Sequence, residues 1–122
     1  MDDPKTFSIT DSALPEDAAI VEVAGEIDMA RAPSFQHQLL RALGAGRHGL
    51  VVDLSAATFM DSAALNSLVT AFEELRARGG RLAIVAPDTR VRALFEVARL
   101  DRDFEIYDSR AEALASVTGG AA

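Results

Sequence analysis

The spacing of apolar residues switches repeatedly between two and about three and a half along this chain, and the switches divide it into short alternating elements. Thr6-Phe7-Ser8-Ile9-Thr10 alternates and predicts a strand. Leu14-Pro15-Glu16-Asp17 is turn chemistry, and Ala18 to Ala24, rich in Ile and Val, predicts a second strand that enters as a hairpin with the first. Gly25-Glu26-Ile27-Asp28 leads to a helix starting near Arg31 to Pro33, with Phe35, Leu39, Leu40 and Leu43 on one face and Gly44 and Gly46 as its stop. Gly49 to Leu54 is a near-continuous apolar run, as in a buried central strand.

Beyond it, Leu65, Leu68, Val69, Phe72 and Leu75 form a helical stripe that ends at Gly79-Gly80. Arg81 to Ala86 predicts a buried strand. Asp88-Thr89 caps a third helix carrying Val91, Leu94, Phe95 and Ala98. Phe104 to Tyr107 predicts a short strand, and Ser109 caps a last helix with Ala113, Leu114 and Val117 turned inward. The order β-β-α-β-α-β-α-β-α implies an α/β fold: a mixed, mostly parallel sheet of about five strands with about four helices. Sites in such sheets gather at the carboxyl ends of strands, here the loop bearing Asp28 and the loop bearing Asp61-Ser62.

The 122 residues fit one domain, expected over residues 6–118, with loose ends at 1–5 and 119–122. No cysteine is present, which excludes disulfides, thiolate catalysis and cysteine-ligated metals. A net charge of −7 opposes phosphate backbones and anionic lipid, so neither direct nucleic-acid binding nor membrane binding is expected. The acidic start Met1-Asp2-Asp3-Pro4-Lys5 is unlike a signal peptide, and no apolar run is long enough for a membrane span, so a cytoplasmic protein is expected. There is no G-x-G-x-x-G, P-loop or G-x-S-x-G motif, and His37 and His48 belong to a solvated helix face and the amino end of a strand. No cofactor or metal is expected. Arg90, Arg92, Arg99 and Arg102 are interleaved with Asp88, Glu96, Asp101 and Asp103, the pattern of a salt-bridged surface.

The segment from Asp53 to Leu65 is less generic. It sets Phe59 and Met60 in a loop and Asp61-Ser62 at the start of the best helix. Ser62 reads either as an N-cap or as an accessible phosphoacceptor, since a helix N-terminus holds phosphate through its free N–H groups and dipole. Asp28 reads either as a cap for the following helix or as an acceptor that orients the Ser62 hydroxyl. A catalytic use of Asp28 and Asp61 as paired carboxylates lacks any accompanying pocket or cofactor motif.

Val51-Val52-Asp53-Leu54-Ser55 through Phe59-Met60-Asp61-Ser62-Ala63-Ala64-Leu65 resembles the signature of the STAS domain, in particular that of bacterial anti-sigma factor antagonists. Gly25-Glu26-Ile27-Asp28-Met29-Ala30, Gly79-Gly80-Arg81-Leu82 and Val91-Arg92-Ala93-Leu94-Phe95 match the family in kind and spacing, so the resemblance runs from about Phe7 to Leu114. It implies a single STAS-like domain and a regulatory binding protein rather than an enzyme. Its partner would be an anti-sigma factor that is also a serine kinase of the GHKL type, captured by the unphosphorylated form so that a sigma factor is released. A PP2C-type phosphatase would reset the switch, and the chain would be a monomer or weak dimer.

By the same resemblance the phosphoacceptor is Ser62. Asp28, Phe59, Met60, Asp61, Ala63 and Ala64 bind the partner or shape the site, and Asp53 orders the loop. The chain carries Ala64 where the family usually has glycine; its methyl either raises the docking surface or faces solvent. Other STAS assemblies, a stressosome-type scaffold or an accessory protein of a lipid-transport ABC complex, are the alternative setting.

Overall fold

The structure, a computed structural model of the chain, describes residues 8–14, 18–44 and 46–118. The expected loose ends, the first two residues of the first predicted strand and the turn at residues 15–17 lie outside that range. The elements are β1 (Ser8–Leu14), β2 (Ala18–Ile27), α1 (Ala32–Leu43), β3 (Gly49–Met60), α2 (Ser62–Ala77), β4 (Arg81–Val85), α3 (Thr89–Val97), β5 (Glu105–Tyr107) and α4 (Arg110–Val117).

The five strands lie side by side in chain order, β1 antiparallel to β2 and every later pair parallel. Crossovers between parallel strands are right-handed, so three successive crossovers that all advance in one direction must place their helices on one face. The packing follows that rule. Val21, Val23, Leu50, Val52, Leu54, Leu82 and Ile84 face a large core with Phe35, Leu39, Leu68, Leu75 and Phe95 from α1, α2 and α3. Among the described residues no strand follows α4, and it covers the opposite face, where Ile20, Val51, Ala83 and Val85 meet Ala113. The alternation of Leu50, Val51 and Val52 between the two cores is the two-residue period of a strand buried on both sides.

Two departures from the sequence reading matter for the site. β3 does not end at Leu54. It pairs with β4 only through Asp53, then continues seven residues further beside β2 as a projecting ribbon. Two bulges interrupt that ribbon: Glu22 and Ala24 pair with Asp53 and Ala56, and Gly25 and Glu26 pair with Ala57 and Phe59. Each adds a residue to β3, so burial there reads two exposed positions for each buried one and the alternation that marks a strand is lost. Gly25 adopts φ +88° at the second bulge, a conformation L side chains rarely take.

The second departure is in α2. Its buried face includes Ala64, Ser67 and Ala71 beside Leu65, Leu68 and Leu75, whereas Val69 and Phe72 are only partly buried. The small residues admit α1, and the Ser67 hydroxyl donates to the Ala32 carbonyl at 3.1 Å, closing the contact. Among the described residues no helix is long and apolar enough to cross a membrane.

Candidate functional site

β2 and β3 end level with each other. Ile27 pairs with Met60, and the Asp61 amide donates to the Ile27 carbonyl at 3.3 Å. Asp28 and Asp61 therefore leave the sheet side by side, each heading a helix. Asp61 is the N-cap of α2: its Oδ1 accepts from the amides of Ala63 (3.0 Å) and Ala64 (3.2 Å). This corrects the capping reading of Ser62, which is the first helical residue. The Ser62 side chain is exposed and makes no hydrogen bond among the described residues.

Asp28 serves the start of α1. Its carbonyl accepts from the amides of Arg31 and Ala32, its Oδ1 accepts from the Arg31 amide at 3.2 Å, and the Arg31 guanidinium donates to Oδ2 at 3.3 Å. No hydrogen bond joins Asp28 to Ser62, so the orienting role expected for Asp28 is absent here, and the capping role is the one present. Both carboxylates are engaged at helix starts.

Phe59 and Met60 are the last residues of β3 rather than a loop. The second bulge turns Phe59 outward, 48% exposed, and sends Met60 into the core at 1%. Ala64 is fully buried as well. Met60 and Ala64 thus lie beneath the surface, and neither expectation for the Ala64 methyl, a raised surface or a solvent-facing one, fits its position. Ala63 is half-buried and lines a groove of about 620 Å³ between α1 and α2, with Met29, Pro33, His37 and Asn66 along it.

Met29 was not legible as a site residue. It is 73% exposed and stands at the mouth of that groove, on the far side of Asp28 from Ile27. A lone methionine ahead of a helix has no periodic partner to mark it. Phe59 lines a second, smaller groove with Val91 and Leu94 of α3. The Asp28–Ser62 rim therefore lies between two exposed apolar side chains, a combination suited to a protein partner.

Asp53 sits away from that rim, on the α4 face of β3. Its Oδ1 accepts from the Ser55 amide (2.9 Å) and hydroxyl (2.6 Å), and its Oδ2 from the Arg110 guanidinium at 2.7 Å. Burial pushes the Asp53 carboxyl up, but the bonds from Ser55 and Arg110 together outweigh it and hold the group below the usual carboxylate range. The carboxylate fixes the first bulge and ties α4 to the sheet. Arg110 also pairs with Glu22 at 3.0 Å. Its part was invisible in the sequence because its partner lies 57 residues away.

A model of the STAS domain family matches residues 11–113. The chain belongs to the STAS domain family. The anti-sigma-B factor antagonist of Listeria monocytogenes is 35% identical over 92 residues, 74% of this STAS domain chain and 79% of its own. The structure of an anti-sigma factor antagonist from Mycobacterium paratuberculosis matches with a TM-score of 0.80 at 28% identity, covering 96% of this chain and 98% of that one. SpoIIAA, a Bacillus cell fate determinant solved in its phosphorylated form, has a TM-score of 0.69 at 18% identity over 92% of this chain and 99% of its own, a likeness of fold.

Proposed function

We propose that this STAS domain is an anti-sigma factor antagonist, a binding protein without catalysis of its own, switched off by phosphorylation of Ser62. The observation that carries the reading is Ser62 itself: an exposed hydroxyl with no hydrogen bond among the described residues, at the first turn of α2, on a rim with Met29 and Phe59. Its relatives are antagonists of anti-sigma factors, and SpoIIAA of the same fold takes a phosphorylated form.

The unphosphorylated rim docks an anti-sigma factor that is also a GHKL-type serine kinase. The Ser62 oxygen attacks the γ-phosphorus of ATP, the bond from that phosphorus to the bridging oxygen breaks, ADP leaves, and the hydroxyl proton passes to a base of the kinase. A PP2C-type phosphatase hydrolyses the ester. The phosphate adds about −1.5 to −2 charges beside Asp28 and Asp61. Like charges brought together in an interface cost several kcal/mol, about a hundredfold or more in affinity. Ser62 projects from a helix end, so the fold persists in both states.

The test is phosphorylation by native cell extract with ATP, mapped by mass spectrometry. One phosphate at Ser62, lost in Ser62→Ala, supports the reading; modification of Ser67, or undiminished labelling of Ser62→Ala, overturns it.

A further inference from the structure

The start of α1 is capped by Asp28, which accepts from the Arg31 amide, whereas the Arg31 side chain makes no capping bond. A cation at a helix N-terminus opposes the dipole, so the Arg31 charge does not serve the helix. The guanidinium instead rests on Asp28 through a single 3.3 Å contact in which both side chains are about 40% exposed. An exposed pair of that kind holds its partners weakly.

Its position gives it a second use. Arg31 immediately precedes Ala32 and Ser62 immediately precedes Ala63, and Ala32 and Ala63 line the same groove. The Ser67–Ala32 hydrogen bond locks these two helix starts together. Among the described residues, the charged and titratable groups around the rim are Glu26, Asp28 and Asp61 at the strand ends, His37 along the groove and the Asp88–Arg90 pair heading α3. Arg90 is held on Asp88 by two side-chain bonds, beyond Phe59. Among the described residues, Arg31 is the cation that pairs on the rim itself.

We infer that Arg31 is the positioning residue of the phosphorylated state, its guanidinium leaving Asp28 to bind the phosphate on Ser62. The inference rests on the reading of Ser62 as the phosphoacceptor. A phosphate dianion offers a guanidinium two parallel charge-assisted bonds, which a single long contact to a carboxylate does not match. The transfer relieves the repulsion between the phosphate and the two aspartates. It also releases Asp28, so the rim presents a different charge pattern to a partner.

The experiment installs phosphoserine at position 62 during translation by codon suppression and follows its second ionisation by phosphorus NMR. No kinase is needed, so the outcome is separate from whether native extract modifies Ser62. A bound guanidinium stabilises the dianion, and its removal in Arg31→Gln should raise the phosphoserine pKa by about half a unit. Arg31→Lys, which keeps the charge without the planar fork, should fall between them, and Arg90→Gln should match wild type. The difference should shrink in high salt. Equal ionisation in wild type, Arg31→Gln and Arg31→Lys, or a difference that is insensitive to salt, overturns the inference. A purely structural Arg31 would lower the melting temperature of Arg31→Gln and leave the phosphate titration unmoved.

Discussion

The Asp61 amide donates to the carbonyl of Ile27 at 3.3 Å, extending the pairing of β2 with β3 one step past the last strand residues. That bond brings Asp28 level with Asp61 and sets the starts of α1 and α2 against each other. The rim is thus built by the projecting ribbon of β3, and its stability depends on the groups that close the ribbon and cap the helices.

Asp61 provides two of the N-terminal hydrogen bonds of α2. Asp61→Ala should lower stability by about 1 kcal/mol, the usual cost of losing an N-cap. Asp61→Asn keeps the acceptor and should recover most of that loss. Urea denaturation of the two variants checks this: equal losses would mean the charge, not the cap, is what matters.

Ala64 is fully buried against the core. Ala64→Gly removes a buried methyl and the best helix former together, so stability should drop by about 1–2 kcal/mol. Because the methyl does not reach the surface, affinity for any anti-sigma factor should change equally and little. Titration against two such partners decides it; a change in their ranking would return Ala64 to the contact surface.

Met29 and Phe59 are exposed on either side of Ser62. Each should act as an anchor for the partner, and truncation to Ala should cost about 1–2 kcal/mol of binding while leaving the melting temperature unchanged. Val97 at the opposite end of α3 is exposed to a greater extent and serves as the control, with no loss expected from Val97→Ala. Calorimetric titration with the anti-sigma factor reads all three.

Asp53 is held below its ordinary ionisation range in the folded protein by Ser55 and Arg110 acting against burial. A carboxylate with a depressed native pKa stabilises the fold above its unfolded value, about 3.9, and that contribution is lost as pH falls through the lower native value. Asp53→Asn should lower stability at pH 7 by on the order of 1 kcal/mol, kept small because Arg110 is partly solvated. The variant should also lose less stability than wild type between pH 5 and pH 3. Parallel acid limbs for the two proteins would show that Asp53 does not contribute.

The sequence was most informative where one local rule acted alone. Asp88 and Ser109 cap α3 and α4 as their positions before apolar stripes predict, each accepting from an amide two or three residues on. It was least informative along β3. There the bulges break the two-residue period, and Phe59-Met60 reads as a loop although it is paired to β2. Reading Ser62 as the phosphoacceptor rests on resemblance, because no periodicity distinguishes a phosphoacceptor from a cap.

By itself the sequence determined the alternation of strands and helices, the largely parallel sheet with right-handed crossovers, and the burial of Gly49 to Leu54. Those properties depend on residues close in the chain and on the chirality of its backbone. Only the tertiary structure decided that Met60 and Ala64 face inward, that Met29 and Phe59 stand out, and that Arg31 rests on Asp28. It alone joined Arg110 to Asp53. The reason is physical: exposure at a bulged strand end is set by the register of its neighbour, and an ion pair across 57 residues exists only once the sheet and α4 have met.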